Sequence, residues 1–258
     1  MDDKKGISDI FGVETIANVI DKSVKSIGHF LSLVSKPALE EFGFLLKDKV
    51  HTWRMNNLIK TLKKAEGKLV YENKNLEIHP KIALSIIENA SMEEEEELQD
   101  MWAGLFAASC LEKKDDENLI FIDILKKITV IQARIIKYMC ENSRIVLYKN
   151  GLFGAPDIIE LNLEEIYEIT KVDDVYRLDR ELDHLRSLNL FASSLFGGTG
   201  GFGVGGNVIT AKISPSALAL YFYQKCMGSK DNPNIFWKDK IISEEDYNNE
   251  LAANNFDS

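Results

Sequence analysis

The chain has 258 residues, of which 45% are hydrophobic and 28% are charged, and its formal net charge at pH 7 is −10. This length allows one large domain or two small ones, with enough apolar material for a hydrophobic core. A chain this acidic is repelled by polyphosphates unless it concentrates positive charge locally. Its three cysteines, Cys110, Cys140 and Cys226, have no paired spacing, which argues against a disulfide framework and fits a reducing cytoplasm.

The sequence predicts no targeting or membrane-spanning segment. The N-terminus lacks the apolar h-region of a signal peptide. The longest apolar stretch, residues 27–46, is interrupted by Lys36, Pro37, Glu40 and Glu41. We therefore expect a cytoplasmic protein without a transmembrane helix.

Helical periodicity dominates the first half of the chain. Apolar residues recur at steps of three and four from Val13 to Val34, which predicts an amphipathic helix over about residues 8–35. This helix could dock on the core, pair with another subunit or lie on a membrane. Its mixed polar face favours core or subunit packing. Pro37 then begins a second helix, for which Gly67 is the predicted stop.

A third helix is predicted over residues 80–89, followed by a fourth helix that Ser91 caps. Ser91 and Glu94 have the spacing of a capping box. The acidic run 93–97 then falls in the first turns, where the helix dipole favours negative charge. The predicted core positions of this half are Trp53, Trp102, Leu105 and Phe106.

The second half of the chain mixes helices and strands. A helix over 128–140 precedes a short strand over 145–148 and an Asn150-Gly151 turn. Asn162 and Asp173 are then predicted to cap a short helix and a longer one. The side chains that the longer helix should turn inward are Tyr176, Leu182, Leu185 and Leu188.

A glycine-rich tip over 197–206, a strand over 208–213 and a helix begun by Ser214-Pro215 follow. Helix, short helix, longer helix, hairpin and helix is the order of a winged-helix-like domain. The predicted fold class is therefore mainly α, with an N-terminal helical domain followed by a winged-helix-like α+β domain that contains a small β-hairpin. The predicted divisions are an amphipathic helix in 1–36, a helical domain over 37–112, the winged-helix-like domain over 119–228 and a polar, loosely held tail over 229–258.

Two helical blocks carry a family resemblance. Residues 37–68 contain Gly-x-x-x-Lys-Asp-x-Val followed by Trp-Arg-x-x-Asn, and residues 80–109 contain an acidic run leading into Leu-x-x-Met-Trp-Ala. With the downstream segments to about residue 228, these blocks resemble the Abi-alpha (abortive infection alpha) family of bacterial phage-defence proteins. The resemblance implies a role in abortive infection, in which an infected cell stops growing or dies before phage spreads. It supplies no catalytic motif.

The glycine-rich tip fits G-x-G-x-x-G over residues 198–203. A dinucleotide site needs this motif between a strand and a helix, whereas here a strand follows. A flexible hairpin tip is therefore the favoured interpretation, and no cofactor is expected. The alternative is a contact surface for a partner or membrane, formed by Phe196, Phe202 and Val204.

Charge bears on the question of nucleic-acid binding. Residues 173–188 carry five acidic side chains against three arginines, and the tip 195–206 has neither lysine nor arginine. A DNA-reading helix needs cations that neutralise phosphates, so a protein-interaction module is favoured.

Residues 47–68 form a strongly basic helix, with seven basic side chains against two acidic ones. This helix could contact nucleic acid or anionic lipid through Lys60, Lys63 and Lys64. The segment 88–117, with eleven acidic side chains against two basic ones, offers a nearer partner within the chain or in another subunit. That complementarity is the favoured interpretation.

No residues with the spacing of a catalytic or metal site are found. Consecutive carboxylates in 93–97 fan around a helix, and the four histidines lack zinc-ligand spacing. The three cysteines lie in apolar helical contexts. We expect a non-catalytic phage-defence protein without metal or cofactor that acts through protein–protein contacts or as a homo-oligomer, with peripheral membrane engagement left open. The alternative is a nucleic-acid-binding regulator that uses the basic helix 47–68.

Overall fold

The computed structural model describes residues 13–47, 52–69, 76–110, 116–192, 199–205 and 208–254. These residues form mainly helices with two small β-sheets, which confirms the predicted fold class as mainly α with a small β part. The described helices are α1 (Val13–Val34), α2 (Lys36–Lys47), α3 (Thr52–Lys68), α4 (Pro80–Ala90), α5 (Glu96–Cys110), α6 (Leu119–Leu125), α7 (Val130–Asn142), α8 (Leu163–Thr170), α9 (Val175–Ser187), α10 (Ala217–Cys226), α11 (Pro233–Phe236) and α12 (Glu244–Asn254). The described strands are β1 (Ile145–Leu147), β2 (Phe153–Gly154), β3 (Ile159–Asn162), β4 (Gly201–Gly205), β5 (Val208–Ile213) and β6 (Ile241–Ser243).

Helix α5 is the central element of the fold. All of its residues from Met101 to Cys110 are buried, and it contacts α3, α4, α6, α7 and α10. A helix that is apolar on every side must be covered on every side. The burial of Trp102, Leu105 and Phe106 confirms these predicted core positions.

Helix α1 packs its apolar stripe on the core. Ile27, Phe30, Leu31 and Val34 are all buried, and α1 contacts α2 and α3. This is the core packing that its pattern favoured. The predicted helix from Pro37 to Gly67 corresponds to α2 and α3, with residues 48–51 outside the described part of the chain.

The prediction that Trp53 is a core residue is wrong, because its side chain is 46% exposed. The buried stripe of α3 runs through Met55, Leu58 and Leu62, and Trp53 lies well off this stripe on the helical wheel. Its indole N–H donates to the Glu94 carboxylate, as expected for an aromatic ring with a polar edge near solvent.

The prediction that Ser91 caps the fourth helix is also wrong. Ser91 follows the last residue of α4, and its hydroxyl donates to the carbonyl of Glu88 at 2.7 Å. The same oxygen accepts a hydrogen bond from Arg54 Nε at 2.9 Å. Helix α5 begins only at Glu96, so within the acidic run only Glu96 and Glu97 lie in its first turn.

In the second half of the chain, the β4–β5 hairpin and strand β3 form a three-stranded sheet. Strands β3, β5 and β4 are antiparallel neighbours in that order, with Ile159 opposite Ile213. Helices α8 and α9 lie between β3 and β4 in the chain, α7 precedes them and α10 follows. The order of these helices and the hairpin is the predicted one, whereas strand β3 was not predicted.

The described part of the glycine-rich segment forms a strand, whereas a flexible tip was predicted. Residues 201–205 form β4 and pair with β5, so they belong to the hairpin arm rather than to a flexible tip. Residues 193–198 and 206–207 lie outside the described part of the chain. A strand follows β4, as the sequence predicted.

The predicted turn at Asn150-Gly151 is confirmed. Gly151 has a φ of +83°, and the N–H of Tyr148 donates to the Leu152 carbonyl at 2.8 Å between β1 and β2. Strand β1 covers residues 145–147 of the predicted strand.

Some helices in this half are capped by residues other than the predicted ones. Asn162 caps α8 with a full capping box, as predicted. Asp174, rather than Asp173, caps α9, since its carboxylate accepts from the Arg177 N–H at 3.1 Å. Helix α10 is capped by Ser216, two residues after the predicted start.

The inward face of α9 consists of Leu178, Leu182 and Leu185, all fully buried. The prediction that Tyr176 points inward is wrong, because 78% of it is exposed. Tyr176 and Leu178 are two positions apart, which places them on nearly opposite sides of a helix. Leu188 is half-buried.

The prediction of a loosely held C-terminal tail is wrong for residues 233–254. Strand β6 pairs in parallel with β1, and α12 follows it. Trp237 is buried, and its ring lies 6.1 Å from that of Tyr223. Arg144 forms ion pairs with Asp157, at 2.7 Å, and with Glu250.

One hydrophobic cluster extends from α1 to Trp237 and includes buried residues of both predicted domains. The proposed domain boundaries stay predictions. No helix in the described parts of the chain is long and apolar enough to span a bilayer.

Candidate interaction surfaces

Two ion pairs connect the basic helix α3 to the acidic start of α5. Lys64 Nζ lies 3.6 Å from a Glu96 carboxylate oxygen, and Lys68 Nζ lies 3.3 Å from Asp100. Both helices use a spacing of four residues, so the pairs lie about one turn apart. Lys64 also donates to the Glu96 carbonyl at 3.1 Å. Part of the positive charge of the basic helix is therefore neutralised by carboxylates within the chain, as its charge pattern favoured.

Arg134 on α7 joins this charged region to the second half of the chain. Its Nε and Nη2 atoms donate to one oxygen of Glu97 at 2.9 and 2.7 Å. Its Nη1 atom donates to the Thr170 carbonyl at 2.9 Å, at the end of α8. The hydrogen bonds from Arg134 lower the pKa of Glu97, because they stabilise the ionised carboxylate.

A cleft of about 470 Å³ opens between α3, α5, α7 and α10. Met101, Tyr223 and Met227 supply its apolar part, and six charged side chains line the rest. These are Lys64, Glu96, Glu97, Asp100, Arg134 and Lys137. A neighbouring cleft of about 390 Å³ shares Tyr223 and Met227 and extends to Phe236 and Trp237. Three positive and three negative side chains line the first cleft, so its charges favour neither an anion nor a cation.

The outer face of α9 is a second candidate surface. Tyr176 lies exposed in the first turn, and two of the three arginines of the helix, Arg177 and Arg186, have acidic neighbours. Arg177 lies 3.8 Å from Glu181, and Arg186 lies 2.5 Å from Asp183. This face therefore has an exposed aromatic ring but no excess of positive charge.

Residues 54–198, more than half of the chain, match the sequence profile described as abortive infection alpha. The chain belongs to the abortive infection alpha family. Membership indicates a role in abortive infection, a form of defence against phage. No curated protein and no solved structure gives a significant match to the chain.

The predicted contact lysines of this abortive infection alpha protein have different surroundings. Lys60 and Lys63 are exposed on α3, and Lys63 Nζ donates to the hydroxyl of Ser23 on α1 at 2.6 Å. Lys64 is half-buried against Glu96. Two of the three lysines are thus available to a partner, and the third already forms an ion pair.

The predicted apolar contacts are only partly described. Phe202 is half-buried in β4 and packs against the core. Val204 lies in the same strand, and its side chain, like the whole of Phe196, lies outside the described part of the protein. The contact surface expected from these three residues therefore stays a prediction.

Tyr176 is the exposed residue that the sequence interpretation missed. Its phase relative to Leu178, Leu182 and Leu185 was the available signal, since those leucines define the buried face by their spacing of four and three.

The abortive infection alpha protein buries all three cysteine thiols. Burial raises the pKa of Cys110, Cys140 and Cys226, which keeps them protonated and weakly nucleophilic near neutral pH. Within the described ranges, no group of three or more His, Cys, Asp or Glu side chains could hold a metal ion.

Proposed function

We propose that this abortive infection alpha protein acts in phage defence without catalysis, by contacting another protein through the outer face of α9. The observation that carries this proposal is the exposure of Tyr176, 78% of which lies in solvent at the first turn of α9. Tyrosine and arginine are the residues most often found as energetic anchors of protein interfaces.

The arrangement around α9 supports a winged-helix-like module. Helix α7, strand β3, helices α8 and α9 and the β4–β5 hairpin follow each other in the order of that fold. Arg186 donates to the Gly200 carbonyl, which ties the hairpin to α9. A module whose residues 173–188 carry more carboxylates than arginines is better suited to a protein surface than to a phosphate backbone.

The burial of all three cysteine thiols supports a role without catalysis. The only thiols of the chain are buried and protonated, and the charged cleft pairs its carboxylates with lysines and an arginine. The hydrogen bonds from Arg134 lower the pKa of Glu97, which suits a structural role better than general acid catalysis.

The proposal is tested by phage plating on cells that carry the protein or its variants. We expect Tyr176→Ala and Arg180→Glu to reduce protection at least tenfold while the expression level stays the same. The matched control is Ile235→Ala, which truncates a side chain of 58% exposure on α11. Equal loss in the control, or full protection by both α9 variants, would contradict the proposal.

A photo-crosslinking residue placed at position 176 tests the contact itself. During infection we expect a covalent adduct with a protein, and none when the same group replaces Ile235. An adduct with nucleic acid alone would argue for a different partner.

The alternative function, a nucleic-acid-binding regulator that uses residues 47–68, draws on the exposure of Lys60 and Lys63. It is weakened by the ion pairs of Lys64 and Lys68. DNA and RNA binding at low salt that is lost on changing Lys60, Lys63 and Lys64 to Glu would favour this alternative.

A further inference from the structure

The solvent side of α9 carries a row of four residues that are spaced by four, three and four positions. A turn of about 100° per residue keeps this row on one side of the helix, opposite the three buried leucines. We call these residues the outer row, and all of them are exposed: Tyr176, Arg180, Asp183 and Ser187. The outer row is therefore open to a partner.

Arg180 differs from the other two arginines of α9. Arg177 and Arg186 each have a carboxylate partner on the same helix. Among the described residues, no carboxylate forms an ion pair with Arg180. Asp183 uses its Oδ1 atom for Arg186, and a carboxylate can accept from further donors at its second oxygen. Each outer row thus offers a cation that lacks a partner and a carboxylate that can accept from one more donor.

Two copies of the outer row complement each other when the helices lie antiparallel about a twofold axis. In such a contact, each residue meets the same partner in both directions. An axis midway between positions 180 and 183 places Arg180 of each copy opposite Asp183 of the other, and Tyr176 opposite Ser187. A register shifted by seven residues would bring Asp183 to the level of the acidic residues 173–174, where like charges repel. Charge therefore favours the first register.

We propose that the outer row binds the outer row of a second copy of this chain, with Arg180 of each copy paired to Asp183 of the other. The guanidinium of arginine can donate two parallel hydrogen bonds to a carboxylate, which fixes the register as well as the partner. The inference deepens the proposed function, on which it rests for the choice of α9, by naming the partner. A contact between two helices of 13 residues is small, so we expect a reversible monomer–dimer equilibrium.

Sedimentation velocity of the full chain tests this proposal. A concentration series from about 1 μM to about 1 mM covers the dissociation constants of weak complexes. We expect the average mass to rise from the monomer towards the dimer along this series. Tyr176→Ala should raise the dissociation constant, because it removes the aromatic ring of the contact. A chain that stays monomeric over the whole series overturns the proposal.

Charge exchange tests the register. Arg180→Asp and Asp183→Arg each place like charges opposite each other twice, and each should raise the dissociation constant at least about tenfold. An equimolar mixture of the two variants should dimerise again, because one chain then supplies both acids and the other both arginines. Local misfolding cannot explain such recovery, since each chain keeps its substitution. The control, Lys126→Asp, makes the same charge change in an exposed pair with Asp123 on α6 and should leave dimerisation intact. Equal weakening in the control, or no recovery on mixing, overturns the proposal.

Phage plating separates a failure of this inference from a failure of the proposed function. If the chain dimerises through α9 while Tyr176→Ala and Arg180→Glu keep full protection, the dimer stands and the proposed function is contradicted. If both variants lose protection while the wild-type chain stays monomeric, α9 contacts a different protein and this inference is overturned. We expect dimerisation and protection to be lost together.

Discussion

Gly104 lies where α5 crosses the end of α10. A Cβ atom at this position would lie 1.7 Å from the carbonyl oxygen of Cys226 and 2.4 Å from its carbonyl carbon. Both are backbone atoms, so the clash cannot be relieved by a side-chain rotation. The helix approach that buries the centre of α5 therefore depends on the absence of a side chain here.

We expect Gly104→Ala to lower the free energy of unfolding by at least about 1–3 kcal/mol, the usual cost of overpacking a core. Gly43→Ala is the matched control, because apart from the adjoining backbone of α2 and the two flanking residues no atom lies within 4 Å of the added methyl group. That change should be neutral or stabilising by up to about 1 kcal/mol, since alanine favours a helix. Urea unfolding of both variants measures the difference, and equal stability would contradict the close approach.

The Glu97–Arg134 pair predicts a pH dependence at one residue. Hydrogen bonds from Arg134 lower the pKa of Glu97 below its ordinary value of 4.5. A lowered folded-state pKa contributes stability that is complete above the unfolded pKa and is lost as the pH falls through the folded one. Because the Glu97 side chain is 44% exposed, the contribution stays within the range of about 0–1 kcal/mol typical of exposed pairs.

A carboxyl NMR titration should therefore place the midpoint of Glu97 below 4.5 in the wild type and return it towards 4.5 in Arg134→Met. The stability advantage of the wild type over Glu97→Gln should vanish in the same acidic range. A midpoint above 4.5 in the wild type would show that the ion pair does not form in solution.

Residue burial was predictable only where composition and helical phase agreed. Trp102, Leu105 and Phe106 lie in a helix that is apolar on all sides, so any phase buries them. Trp53 and Tyr176 were assigned to the core by residue type, although their phase relative to buried leucines places them outside. The sequence also gives no sign of Gly104 as a contact point, because helix crossings depend on tertiary packing.

At the scale of elements, some helix starts follow from the local sequence, whereas others are changed by contacts with neighbouring elements. Asn162 caps α8 as predicted, because both halves of its capping box lie within four residues. Ser91 has the same local pattern but is used by Arg54 and by the end of α4. A capping motif predicts a helix start only when no neighbouring element competes for its hydroxyl.

The start of α9 allows a direct test between two adjacent aspartates. Asp174→Ala should lower stability by about 1 kcal/mol, because the carboxylate that accepts from the Arg177 N–H is lost. Asp173→Ala removes the same charge one residue earlier and should cost much less. Thermal unfolding followed by circular dichroism compares the two, and a larger loss at Asp173 would favour the cap that the sequence predicted.

On the scale of the whole molecule, the C-terminal segment supplies strand β6, which pairs with β1. Its apolar residues are few and lie in a polar background, which is why the sequence suggested a loose tail. The apolar side chains of Trp237 and Ile241 nevertheless pack against the core, and Tyr247 donates to Asp157 at 2.8 Å. Pairing between residues nearly a hundred positions apart is not readable from local periodicity.

Removal of residues 239–258 should therefore destabilise the entire protein rather than trim a tail. We expect a clear fall in the thermal midpoint, because β1 loses its parallel partner and Arg144 loses Glu250. Tyr247→Phe with Glu250→Gln removes only the side-chain ties and should have a smaller effect. A truncated protein with the wild-type midpoint would contradict the role assigned to β6.

The parallel pairing of β1 with β6 also bears on biosynthesis. Strand β1 leaves the ribosome long before β6 is translated, so one of its edges waits unpaired while nearly a hundred further residues are made. Nascent chains stalled in this interval would expose a short edge rich in isoleucine and valine, the kind of strand that joins with others into aggregates. Production of this defence protein should thus be sensitive to premature termination and to slow translation of its final segment.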